Sequence, residues 1–385
     1  MISHINTERK ETTVDKKEII DAIEKVVYRL MNLGGADYSA DKSNSSEDTN
    51  HGVIARDWGI EEWDWPQGVG LYGLTKLQSY YKDNRYDEFL DSWFQRNLKI
   101  GLPSININTT APFLALMDLV RRTGNKQYEK MCLERAEWLM NDLPKTHDGG
   151  FQHVTSAVGD RNGVSLNENQ IWVDTLFMAV MFLNQAGQYF NRPDFVDESV
   201  KQFLIHIKYL YEKTNGLFHH GWTFDGMNNF GGVFWCRGNS WFTYGVIDYL
   251  AAFDKIPCPE GVKKYLVDTF SNQAEALAKL QDPSGLWHTV LDDETSYVEA
   301  SGSGAITAGI AKGVKLGILP EKYRATAENG IKGLIGSISE DGTVLNASAG
   351  TPVGMNKDHY RSIIVRPMAY GQSLTLLALV EALDL

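Results

Sequence analysis

The sequence predicts an all-α chain folded as an (α/α)6 barrel, a single-domain toroid of six helical hairpins. Three observations carry that prediction. Six segments share one form, in which a small or polar residue, often Gly, opens an apolar helical stretch that ends in a turn. Their anchors, at 68, 110, 174, 238, 302 and 371, are spaced by 42, 64, 64, 64 and 69 residues, and self-similarity at a regular spacing marks a repeat architecture. Amphipathic stretches alternate with these segments, and a short Gly-aromatic-His motif recurs between them. At 385 residues the chain exceeds one ordinary core, so it needs either two domains or one large repetitive one. The rhythm favours the second.

Taken in order, residues 1–15 are polar and are expected to be a disordered tail ahead of the barrel domain over 16–385. "KKEIIDAIEKVVYRLMNL" (16–33) repeats apolar residues at helical spacing with Lys and Glu opposite, as an exposed outer helix requires. A polar loop follows at 36–50, and then "WPQGVGLYGLTKL", apolar on all sides, reads as the first inner helix. Outer stretches recur near 85–98, at 125–143, 197–213 and 261–280, and near 320–337. Between them lie the inner segments "NTTAPFLALMDLV", "NQIWVDTLFMAVMFL", "CRGNSWFTYGVIDYL", "ASGSGAITAGIAKGV" and "MAYGQSLTLLALVEAL". The motifs "DGGFQHV" (148–154), "NGLFHHGW" (215–222) and "SGLWHTV" (284–290) each leave an outer helix and precede an inner one. They predict short strands or loops on one rim, shared with the N-terminal ends of the inner helices, so that Asp174, Arg237 and the Gly turns converge on one mouth.

Composition narrows the function. Lys+Arg 37 against Asp+Glu 49 gives a formal charge of −12, with no basic stripe, which argues against nucleic acid and anionic membranes as partners. No apolar run is long enough to span a bilayer, and the polar N-terminus has no signal-peptide pattern. Three scattered cysteines, Cys132, Cys236 and Cys258, make neither a disulfide framework nor a zinc site. The expectation is a cytoplasmic protein with no metal or cofactor, a monomer or weak homodimer. Ten Trp is a high count; core packing covers most of the aromatic residues, and aromatic faces lining a cleft for sugar rings are the sharper alternative.

One carboxylate stands out. Asp174 lies in "IWVDTLFMAVMF" among uncharged, mostly large apolar residues, where a charge is costly unless paired or protonated. Its bland explanation is an acidic residue favoured by a helix N-terminus. The flanking Trp172 and the rim position favour instead a pKa raised toward a general acid's range. Asp118 in "FLALMDLVRRTG" is either an ion-pair partner of Arg122 at i+4 or a second carboxylate in the same cavity. Arg237, between Trp235 and Trp241, is a candidate fork for a carboxylate. Of the adjacent His219 and His220, one faces the cleft in an extended segment. "RDWGIEEWDWPQG" (56–68) carries Asp57, Glu61, Glu62 and Asp64, which offer either an ordinary glycosidase acid pair or a capped loop. No P-loop, dinucleotide fingerprint or nucleophile elbow is present.

"EWDWPQGVGLYGL", "IWVDTLFMAVMFL", "FWCRGNSW" and "EASGSGAI", in this order and spacing, resemble the unsaturated rhamnogalacturonyl hydrolases of glycoside hydrolase family 105, relatives of the unsaturated glucuronyl hydrolases. The resemblance runs from about residue 17 to the C-terminus. It implies an (α/α)6 barrel with Asp174 as general acid/base and Asp118 as its neighbouring carboxylate. It also implies that Tyr72, Trp172, His220, Trp235, Arg237 and Trp241 line a uronate pocket, with His153 either joining them or having no counterpart. The substrate so implied is a small oligosaccharide, the unsaturated disaccharide that lyases leave from rhamnogalacturonan. Two other readings stand beside it: an ordinary inverting glycosidase using Glu62 or Asp64, and a non-catalytic sugar-binding toroid.

Overall fold

The computed structural model describes residues 14–33, 59–157 and 160–385. The expected polar loop at 36–50, Asp57 and nearly all of the N-terminal tail lie outside the described residues.

Helices alternate outer and inner along the chain. They are α1 (Lys16–Met31), α2 (Trp65–Tyr81), α3 (Asp87–Ile100), α4 (Pro112–Thr123) and α5 (Lys126–Asn141). Next comes α6, which opens with a π-helical turn, Leu176–Val180, and continues as Met181–Phe190. Then follow α7 (Pro193–Leu210), α8 (Cys236–Ala251), α9 (Glu260–Lys279), α10 (Ala300–Lys315), α11 (Arg324–Gly336), the short α12 (Lys357–Arg361) and α13 (Ala369–Ala382). The inner six are α2, α4, α6, α8, α10 and α13. Each packs on the next, and α13 meets α2, which closes the ring. The (α/α)6 expectation therefore holds.

Burial separates the two sets as the sequence pattern requires. Outer α1 buries one stripe, Ile19, Ile23, Val26, Val27 and Leu30, while all of α13 from Ala369 to Ala382 is buried. A helix apolar all round has to be covered all round. Glycines let the inner helices approach closely. A Cβ on Gly309 would sit 2.6 Å from the Thr243 carbonyl oxygen of α8, and one on Gly304 would sit 2.7 Å from the Leu374 carbonyl of α13.

The rim motifs become turns and two-residue or three-residue ladders. Gly149, Gly216 and Gly285 all take positive φ, between 79° and 87°, which an L side chain adopts only with strain. Gly342, in "DGTVLNA", does the same at φ 85°, and is a fourth copy of the turn with no His to announce it. Four antiparallel pairs stitch the rim: β1 (Val154–Ser156) with β2 (Val164–Leu166), β3 (Gln170–Trp172) with β4 (Gly221–Thr223), β5 (Trp287–His288) with β6 (Val298–Glu299), and β7 (Ala347–Ser348) with β8 (Val365–Arg366). No helix among the described residues is long and apolar enough to cross a membrane.

Candidate active site

The β3–β4 ladder builds the site. Its register sets Trp172 opposite Gly221, and the Val173 amide donates to the His220 carbonyl at 3.0 Å. Asp174, one residue beyond Val173, is thereby brought beside the His220 ring. The second strand is itself pinned by "CRGNSW". Asn239, in the first turn of α8, accepts from the Phe218 amide at 2.7 Å and donates to its carbonyl at 2.8 Å. This fixes "FHHG" at Phe218, three residues before the strand begins at Gly221. His219 turns away and stacks on Phe234, while His220 turns to the mouth.

Asp174 has a ring nitrogen facing each oxygen. Trp241 Nε1 donates to Oδ1 at 3.1 Å. His220 Nε2 stands 3.4 Å from Oδ2, within ion-pair reach, yet neither atom completes a hydrogen bond. Buried polar atoms are ordinarily satisfied, so this open pair is where a ligand or a reacting proton fits. The side chain retains 16% exposure, enough for access from the mouth. A π-helical turn directly follows, a feature often found at functional sites; Phe177 within it packs on Trp241 at 5.1 Å.

Aromatic rings surround the carboxylate. Trp172 meets His220 edge-on at 5.3 Å, and His220 tilts over Trp235 at 4.2 Å. Trp65, the first residue of α2, stands edge-on to Trp241 at 5.7 Å and stacks on Tyr370 at 4.5 Å. His153 stacks flat on Trp172 at 4.4 Å and shares a hydrogen bond with Thr175 through Nδ1 at 2.9 Å. Burial pulls its pKa down to about 4 in spite of the nearby Asp174 charge, so it stands there as neutral imidazole.

Arg237 is buried at the start of α8 and sits over the Trp235 ring at 4.5 Å. Its Nη groups donate to Ser301 Oγ at 2.9 Å, Ser348 O at 3.0 Å, Ser348 Oγ at 2.6 Å, Ala349 O at 2.8 Å and Thr351 Oγ1 at 3.1 Å. The fork thus ties the 347–351 segment to the barrel. Its Nε and the Trp235 Nε1 remain buried and unpartnered. "ASGSG" is the complement of this arrangement. Glu299 caps α10 on the amides of Ser301 and Gly302, and a Cβ on Gly302 would lie 2.7 Å from the Arg237 nitrogen.

The structure does not bring every expected residue to this group. Tyr72 lies a layer deeper, edge-on to Phe177 at 6.5 Å, with its hydroxyl bonded to Asp248. That carboxylate also pairs with Lys76 at 2.8 Å and with Lys312. Asp118 is ion-paired with Arg122, which holds Asp87 at 2.6 Å; no hydrogen bond or ion pair joins Asp118 to Asp174. In the 56–68 segment, Asp64 caps α2 on the Trp65 amide and accepts from Ser156 Oγ at 2.7 Å, while Glu62 pairs with Arg161 at 3.0 Å. The capped-loop reading describes these two carboxylates. Trp65 and Tyr370 join the site unforeseen; Trp65 was visible only as one more Trp in "EWDWPQG".

The electrostatics also correct one expectation. Burial alone raises the Asp174 pKa, but the His220 imidazole facing it, with His153 behind, outweighs burial and sets the net direction downward. Burial likewise lowers His220 against the pull of Asp174. The pair is therefore a carboxylate beside a neutral imidazole. Among the described residues no group of His, Cys, Asp and Glu is arranged to hold a metal ion.

Comparison with known proteins agrees with this fold. The chain is 30% identical over 322 residues to the unsaturated rhamnogalacturonyl hydrolase YesR of Bacillus subtilis (strain 168), covering 83% of this chain and 90% of that one. A crystal structure described as a possible member of the GH105 family, from Salmonella enterica serovar Paratyphi A, superposes with a TM-score of 0.88 at 37% identity, covering 100% of this chain and 99% of the other. The unsaturated glucuronyl hydrolase of Bacillus sp. GL1 shares the fold, with a TM-score of 0.65 at 19% identity over 95% and 96% of the two chains. The model of Glycosyl Hydrolase Family 88 matches residues 38–385, and the chain belongs to that family.

Proposed function

We propose that this protein hydrolyses lyase-generated oligosaccharides that carry a 4,5-unsaturated uronic acid at the non-reducing end, with Asp174 serving as both acid and base. The observation that carries the reading is a reachable carboxylate with a ring nitrogen facing each oxygen, set among aromatic side chains. Similarity to YesR over most of both chains supports the substrate class, with unsaturated galacturonyl-rhamnose as the preferred disaccharide.

The chemistry needs only one such group. The substrate's C4=C5 double bond is part of a vinyl ether. Protonated Asp174 gives its proton to C4, and the ring oxygen stabilises the cation left at C5. Water adds at C5, returning a proton to the Asp174 carboxylate. The resulting hemiketal opens to a C5 ketone, and the hemiacetal at C1 releases the aglycone. Two carboxylates at a fixed separation, as ordinary glycosidases use, are not required. Glu62 and Asp64 are each held by partners of their own. Trp172, Trp235 and Trp241 form a buried aromatic wall around Asp174, and the unpartnered Arg237 Nε and Trp235 Nε1 are donors left for the uronate. Arg237 could offer a two-pronged grip only by releasing Ala349 and Thr351.

Isotopes test the reaction. In deuterated water the product is expected to carry one deuterium at C4, on a single face. In heavy-oxygen water, with rapid reduction to trap it, the label is expected at C5. A released sugar with its double bond intact and no deuterium at C4 would overturn the reading and restore an ordinary glycosidase mechanism.

A further inference from the structure

We infer that Tyr360 is a positioning residue that fixes the tautomer of His220 and, through it, the N–H presented to Asp174. The inference rests on the reading of Asp174 as the reacting carboxylate. Tyr360 belongs to α12, in the segment that returns over the mouth between β7 and β8, and its side chain is 1% exposed. Its hydroxyl lies 2.9 Å from His220 Nδ1 and accepts from the Gly354 amide at 3.1 Å.

Hydrogen counting gives the direction. A phenol has one hydrogen to give. The Gly354 amide can only donate, so the phenol hydrogen has one place to go, His220 Nδ1. That nitrogen is then the acceptor, and the neutral ring carries its proton on Nε2, the atom 3.4 Å from Asp174 Oδ2. With the opposite tautomer the phenol hydrogen would be orphaned, and a lone pair on Nε2 would face the carboxylate. Asp174, His153, Arg237 and His359 are the charged or titratable groups whose fields reach the ring; burial lowers its pKa and keeps it in the neutral form for which the tautomer matters. The donor itself is held firmly. Asn356 caps α12 on the His359 amide at 3.0 Å, Lys357 pairs with Asp292 at 2.9 Å, and Arg361 Nε donates to Asp293 at 2.7 Å. Ordering groups around a neutral His so that one ring nitrogen is committed is a general way of setting what the other presents.

The first test needs no substrate. Nitrogen-15 spectra of the histidine rings in the full-length protein, with the His220 signals assigned by their loss in His220→Gln, are expected to show protonated Nε2 and bare Nδ1. A protonated Nδ1 in the wild-type protein overturns the inference, whatever the protein's activity. The second test is Tyr360→Phe. It is expected to lower kcat by about ten- to a hundred-fold, the range for losing a hydrogen bond that supports a charged group, with KM within about three-fold and the His220 signals shifted toward a mixed tautomer. Unchanged kcat with unchanged signals refutes the role. Should Tyr360→Phe not fold, 3-fluorotyrosine at position 360 keeps the shape and makes the phenol a stronger donor. It is expected to move the His220 Nδ1 signal, and no movement refutes the contact. Failure of the Asp174 reading is separable, because it would show as an active Asp174→Asn while leaving the tautomer result intact.

Discussion

Substrate binding is expected to add a proton to the protein, and the pH profiles should show it. In the free enzyme the Asp174 pKa is lowered by His220 and His153, so at neutral pH the donor is present almost entirely as carboxylate. The unsaturated uronate brings its own carboxylate on C5, the atom beside the protonated C4. A donor touching C4 therefore sits about 5 Å from that charge, and at an effective dielectric of about 20 the repulsion is about 3 kcal/mol, or about two pH units. The sign follows directly. kcat/KM reports the free enzyme and falls as pH rises through the lowered pKa, whereas kcat reports the complex and holds to a pH about two units higher. The assay is the loss of enol-acid ultraviolet absorbance on a lyase-treated rhamnogalacturonan disaccharide, followed at constant ionic strength from about pH 2.5 to about pH 8, a range that brackets the lowered pKa. Mixing enzyme with substrate in weak buffer should also consume most of one proton per site in the acidic range between the two pKa values, and almost none at neutral pH. Coincident breaks in kcat and kcat/KM, or a kcat break at the lower pH, would refute the coupling.

Asp174→Asn keeps an acceptor for Trp241 Nε1 and nearly the same shape, so it is expected to lower kcat by about a thousand-fold, within the range for a general acid, while titration calorimetry finds disaccharide affinity within a few-fold and the melting temperature barely moves. Arg237→Ala strips partners from Ser301, Ser348 and Ala349, which should cost about 2–4 kcal/mol in urea unfolding and weaken substrate binding. Arg122→Ala loses its ion pairs with Asp87 and Asp118, all mostly buried, so it should lower stability but leave binding alone; equal effects on binding at the two sites would count against the placement of Arg237. Gly309→Ala drives a Cβ into the Thr243 carbonyl and should cost about 1–3 kcal/mol, against a change within about 0.5 kcal/mol for Gly261→Ala, where a Cβ meets nothing within 4 Å.

The barrel was legible because its causes are local and repeated. A helix buried on all sides has to be apolar on all sides, and a ring of such helices has to carry small residues where backbones meet, so Gly302, Gly304 and Gly309 print the packing into the sequence. The site was legible only where a motif encodes its own fixation, as with Asn239 holding the strand of His220. Depth along an inner helix was harder to read. Asp118 and Tyr72 share their helices with residues nearer the mouth, and spacing alone does not say which end of the toroid a side chain serves. Tyr360 left no signal at all, since "NKDHYRS" lies outside both the helical rhythm and the Gly turns and reaches His220 only through the return of the chain.

The same limit explains the direction of the Asp174 shift. Apolar neighbours in sequence predict desolvation, and desolvation is indeed the largest influence on that carboxylate. What sequence adjacency does not carry is the partner 46 residues away, brought opposite by a three-residue ladder. A residue that has to give a proton and later take one back is poorly served by a fold that fixes either state. A carboxylate held ionised by a neutral imidazole, in a mouth where the substrate itself supplies the opposing charge, is driven toward the acid form only when there is something to protonate. Once the uronate has been hydrated and has left, the imidazole again favours the base form.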